Sequence, residues 1–137
     1  MAVSLDELIV AHQETLVDGI VKDAIRQIPS YGRAPLQQTV DRVESFLDAM
    51  AESVAQNDPD LLERHLVGVA QERKREGYAI MELHAMVHLA EEHLQETIRS
   101  AVTNEIEHDR LSALLEAVMD AARMVLSVRY LFSTRQS

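Results

Sequence analysis

Apolar residues return at intervals of three and four from Leu5 to Leu131, and little breaks the rhythm. That spacing places apolar side chains on one face of an α-helix and argues against strands, whose alternation has period two. Only four glycines and three prolines interrupt it, too few for a turn-rich β fold. Leu, Val, Ile, Met and Ala make up most of the apolar share, and the aromatic residues are Tyr31, Phe46, Tyr78, Tyr130 and Phe132. Such a core suits packed helices better than a sandwich. A chain of 137 residues suits one domain with a real core. The expectation is an all-α, single-domain bundle of about five helices over residues 1–137.

The stops and starts divide the chain. Ser4 and Glu7 form a capping box, with Val3 and Leu8 placed for a hydrophobic staple. The first helix then carries Leu5, Leu8, Ile9, His12, Leu16, Ile20, Ile25 and Ile28 and stops at Pro29. Residues 29–35 hold two prolines and Gly32 and form the main loop. Pro35 opens a second helix with the seam Leu36, Val40, Val43, Leu47, Met50 and Val54. Asp58 before Pro59 is the N-cap of a third helix, bearing Leu62, Leu66, Val69 and Ala70. That helix ends in Arg73-Lys74-Arg75, where cations complement the helix dipole, and Gly77 closes it. A fourth helix from about Ala79 to Val102 has the seam Ile80, Leu83, Val87, Ala90, Leu94 and Ile98. Asn104 and Glu107 form a capping pair for a fifth segment ending near Phe132, roughly 43 Å long if unbroken.

This last segment carries two apolar stripes. One reads Leu111, Leu115, Val118, Ala122 and Val125. The other reads Leu114, Ala117, Ala121, Met124, Val128 and Leu131. Together they exceed the arc of about 100° that a surface helix buries. Either the helix is central, or one face meets the domain and the other a partner. The C-terminal position favours a partner, and twofold pairing is the commonest cover for such a face. The expectation is a homodimer whose interface is the second stripe, with the fourth helix as its neighbour.

The net charge of −10 opposes phosphate backbones and anionic lipid, so neither nucleic acid nor membrane is the expected partner. The absence of cysteine removes disulfides and thiolate-bound zinc. No basic stretch precedes an apolar one at the N-terminus, and no apolar run nears the roughly 20 residues that span a bilayer. A cytoplasmic protein is expected.

Six histidines are the candidates for chemistry. His84, His88 and Glu91 share a helical stripe at metal-ligand spacing, with Glu92 beside them. Ala85 stands where a zinc hydrolase would place its general base, so a solvated face of ordinary pairs is favoured. Glu105 and His108 form one Glu-x-x-His pair, whereas a di-iron bundle needs two pairs and two further carboxylates. His12-Gln13-Glu14-Thr15-Leu16 lacks the acid and the proline of a kinase phosphoacceptor box. His12 and His65 both fall among apolar neighbours. No phosphate loop, nucleophile or triad is supported. No metal or cofactor is expected, and the chain is not expected to be an enzyme.

One resemblance emerges in the middle of the chain. Asp60-Leu61-Leu62-Glu63, then Leu66-Val67-Gly68-Val69-Ala70, then residues Arg73-Lys74-Arg75-Glu76-Gly77-Tyr78-Ala79-Ile80-Met81-Glu82-Leu83 resemble the N-terminal (RsbRD) domain of RsbR-type stressosome proteins, the RsbT co-antagonists. Over about residues 5–130 the order of elements is similar too. The resemblance implies a non-haem, globin-like helical fold that dimerises through its C-terminal helices. It also implies a bacterial stress-sensing role and a STAS-domain or switch-kinase partner. Family members continue into a STAS domain, whereas this sequence stops at Ser137, so STAS-borne kinase antagonism is not expected of it. Two other readings stand beside this one. A haem- or small-ligand-binding globin-like sensor would use His84, His88 or His93 as proximal ligand. A metal-binding bundle enzyme would use the His and Glu stripe.

Overall fold

The computed structural model describes residues 3–133, and among them the fold is all-helical. Seven helices follow in order: α1 (Leu5–Ala11), α2 (Gln13–Gln27), α3 (Pro29–Arg33), α4 (Leu36–Ala55), α5 (Pro59–Arg75), α6 (Ile80–Ala101) and α7 (Glu105–Leu131). The expected count of five is therefore corrected to seven. The first predicted helix breaks at His12, whose backbone leaves the helical region at φ −112° and ψ 16°. The predicted loop at 29–35 contains the short α3, because Pro29 sits at its first position, where no N–H is needed. Pro35 is the N-cap of α4 rather than its first turn. The globin-like description is inexact as well. A globin wraps eight helices around its haem, and here seven helices close on a core of their own side chains.

Most of the expected ends are where the chemistry puts them. Ser4 Oγ accepts from Glu7 N, and Glu7 Oε1 accepts in return from Ser4 N at 3.1 Å. Asp58 accepts from Asp60 N at 3.1 Å to open α5. Asn104 accepts from Glu107 N at 3.0 Å to open α7. Gly77, at φ +90°, lets the chain turn out of α5 in a conformation that side chains other than glycine resist.

α7 packs along both α6 and α5, and α4 joins α5 to α1 and α2. The deepest side chains include Ile9, Leu16, Ile20, Leu47, Met50, Leu83, Leu94, Leu111, Leu115 and Met119. Each such burial is worth about 1.5–3 kcal/mol. Predicted seam residues mostly face this core, but Leu36 does not: it lies in the first turn of α4 and is exposed.

Further links tie the layers at their ends. Glu82, at the start of α6, accepts from Ala79 N at 3.0 Å, Ser30 N at 2.8 Å and Ser30 Oγ at 2.8 Å. His93 on α6 bonds Asp23 on α2 at 2.7 Å. Gly19 leaves room for that imidazole, since a Cβ there would stand 2.7 Å from His93 Cε1.

Candidate functional site

The outer side of α7 is the most unusual surface of the molecule. Leu111, Leu115, Met119, Ala122 and Leu126 are buried in the fold, and they occupy one side of the helix. The other stripe from the sequence, Leu114, Ala117, Ala121, Met124, Val128 and Leu131, lies on the opposite side and is exposed in the single chain. Met124 keeps 69% of its surface and Leu131 67%, so the domain itself does not cover them. Two residues absent from the sequence-derived stripe extend it: Ile106, 79% exposed, and Ala113. Ala113 stands four before Ala117 and Ile106 seven before Ala113, two helical turns, and that periodicity is the signal that could have found them.

Polar groups border this face. Toward α6, Arg123 bonds Asp120 at 3.0 Å and also pairs with Glu91, while Ser112 donates to Gln95 at 2.8 Å. Toward α5 the apolar surface continues into a groove of about 250 Å³, lined by Pro59, Leu62, Glu63, Ala117, Val118, Ala121 and Val125 among others. Ala117 and Ala121 thus belong both to the stripe and to the groove wall.

The C-terminal end of α7 is held by the basic turn of α5. Lys74 Nζ donates to the carbonyls of Tyr130 at 2.8 Å and Ser133 at 3.3 Å. Tyr130 Oη donates to the Tyr78 carbonyl at 2.7 Å. Tyr78 packs edge-on against Tyr31, their ring centres 4.9 Å apart. The Arg73-Lys74-Arg75 run is therefore structural at two of its three positions: Arg73 is buried, Lys74 closes α7, and Arg75 is exposed.

The histidines do not converge. His84 Nε2 bonds Ser127 Oγ at 2.8 Å, His88 pairs with Glu92 at 3.4 Å, and His93 is committed to Asp23. Glu91, third member of the predicted stripe, faces Arg123 instead. Glu105 is exposed, and His108 lies 3.3 Å from Asp109. His12 sits at the α1–α2 joint. His65 is half-buried, and burial first, then the Arg73 charge, push its pKa down, so it is neutral near pH 7. Among the described residues no group of three or more His, Asp or Glu could hold a metal ion. None of His84, His88 and His93 lines the apolar cavity of the fold, which is bounded by His65 on α5. Among the described residues no helix is long and apolar enough to cross a membrane.

Compared with known proteins, residues 14–130 match one family model, the RsbT co-antagonist protein rsbRD N-terminal domain. No curated protein and no solved structure matches.

Proposed function

Because the chain belongs to the RsbT co-antagonist protein rsbRD N-terminal domain family, we propose that it is a sensory and regulatory module of a stressosome-type switch. It works as a homodimer through the outer face of α7, performs no catalysis, and hands its signal to a STAS-domain or switch-kinase partner. The observation that carries this reading is the exposed apolar stripe from Leu114 to Leu131.

A second copy suits that stripe for two reasons. Two chains of net charge −10 repel each other over most of their surfaces, but the six stripe positions hold no carboxylate. An apolar face meeting its own image also closes on itself and leaves nothing open for a third chain. Size sharpens the proposal. A helix of 27 residues presents a strip roughly 40 Å long and 10–12 Å wide. That falls short of the ~800 Å² per partner of a standard interface. The α5 side of the adjoining groove, at Pro59, Leu62 and Glu63, must therefore share in the contact.

The pairing places α7 where it can pass on a change. Lys74, His84 and Glu91 bind it from α5 and α6 at Tyr130, Ser127 and Arg123. A shift of α7 against its copy would disturb those links, the kind of helix displacement that interfaces amplify. Sedimentation equilibrium at micromolar concentration tests the proposal. The wild-type chain should sediment as a dimer. The double substitution Ala121→Asp with Val128→Asp, checked by circular dichroism for retained helix, should sediment as a monomer. A wild-type monomer, or a folded double variant that still pairs, would contradict it.

A further inference from the structure

Links from three other helices meet in the short turn between α5 and α6. Residues 73–78 carry the chain out of one helix and toward the next. Tyr78 N donates to the Arg73 carbonyl at 2.9 Å, and Gly77 N donates to the Lys74 carbonyl at 3.1 Å. With Gly77 at φ +90°, these bonds form a Schellman closure of α5. The backbone of the turn is therefore tied to itself, and the groups it presents move together.

Helix α4 grips this turn from one side. Arg42 Nη2 donates to Glu76 at 2.8 Å, and Arg42 Nη1 donates to Tyr78 Oη at 3.3 Å. Helix α7 meets it from another. Lys74 donates to the carbonyls of Tyr130 and Ser133, and Tyr130 Oη donates to the Tyr78 carbonyl. Tyr31 of α3 packs edge-on against the Tyr78 ring. The α4 grip is the one that solvent reaches: the Arg42 side chain is 15% exposed and that of Glu76 35%. Arg42 also lines a polar groove of about 650 Å³ between α4 and α5, with Gln38, Asp41 and Glu72. Such a contact can open locally while the core stays folded.

We infer that the 73–78 turn is a latch that couples α4 to the end of α7. While Arg42 holds Glu76 and Tyr78, the turn keeps Lys74 and the Tyr78 carbonyl against α7. When Arg42 lets go, the turn shifts as a unit and the last turn of α7 loosens, a local order–disorder change. What loosens includes Val128 and Leu131, the C-terminal part of the exposed stripe. The latch lies within one chain and stands whether or not two copies pair; only its effect on pairing rests on the reading above.

Amide hydrogen exchange on the whole chain tests the coupling. Arg42→Met keeps the stem and removes both hydrogen bonds. It should speed exchange at residues 128–132 by about tenfold, the scale of a charge-assisted hydrogen bond. Exchange at residues 115–122, in the middle of α7, should not change. Tyr78→Phe is a milder variant that keeps the ring and the carbonyl and loses only one Arg42 contact. It should give a smaller rise at the same amides. In a Lys74→Met background, where the α7 end is already released, Arg42→Met should add less than about twofold there, because the two changes act through one unit. Unchanged exchange at residues 128–132 in a folded Arg42→Met chain overturns the inference. So does a rise spread evenly over all the helices, or full multiplication of the two effects. Sedimentation of the same samples separates the latch from the dimer. The rise should be the same in paired and unpaired chains, and a rise confined to paired chains would also overturn the inference.

Discussion

Lys74 Nζ donates to the carbonyl of Tyr130 at 2.8 Å and lies 5.2 Å from the centre of the Tyr130 ring. A cation at the end of α5 thus closes the end of α7, where the helix dipole is negative and carbonyls lack intrahelical partners. Lys74→Met keeps the apolar stem and removes the charge and its hydrogen bonds. The expected result is a loss of about 0.5–2 kcal/mol by denaturant unfolding. Faster amide exchange should be confined to the last turn of α7. Unchanged protection there would show that the link does not hold the helix end.

Gly19 and His93 offer a sharper test of packing. A methyl group at Gly19 would press on His93 at 2.7–2.9 Å and push the ring off Asp23. Gly19→Ala should therefore destabilise the fold by about 1–3 kcal/mol. The loss should be much smaller in a His93→Ala background, because the clash is gone. A double-mutant cycle measures that difference. Equal losses in both backgrounds would place the cause in the helix backbone instead.

The Glu82 carboxylate gives the fold a defined acid sensitivity. Burial by itself raises its pKa, but hydrogen bonds from Ala79 and Ser30, with Arg33 nearby, outweigh burial and hold it below its ordinary value of 4.5. A group with a lowered folded-state pKa contributes stability above its unfolded value and loses it as pH falls through the folded one. Glu82→Gln should lower stability at pH 7 by about 1–3 kcal/mol. The gap from wild type should close progressively below pH 4.5. Thermal melts across pH 3–7 check this, and a gap independent of pH would contradict it.

The sequence makes the helices legible because their cause is local. The three-and-four spacing and the caps at Ser4, Asp58 and Asn104 each act within a few residues. The break at His12 is not legible, because the apolar stripe runs straight through it and neither Gly nor Pro marks it. Helix α3 is not legible either, because two prolines and Gly32 dominate that stretch, and contacts made far along the chain, such as Glu82 with Ser30, help secure it. The exposed stripe of α7 was legible for the same local reason as the helix itself. Arg73 was not: a cation near a helix C-terminus reads as a solvated dipole partner, and its burial depends on Tyr31 and Tyr78 arriving from other elements. The cavity has no sequence signature, since it is bounded by residues that each look like ordinary core.

The central claim is that two copies meet along the outer face of α7, and the absence of cysteine makes it directly measurable. Ala121→Cys places a spin label in the middle of the stripe. Gly68→Cys places one on exposed α5 surface with nothing within 4 Å, as the control. Packed helices lie about 8–10 Å apart, so dipolar spectroscopy should return a narrow, short distance between labels at 121 in partner chains and a longer one at 68. A signal from position 121 that shows only the featureless background of unpaired molecules would contradict the account.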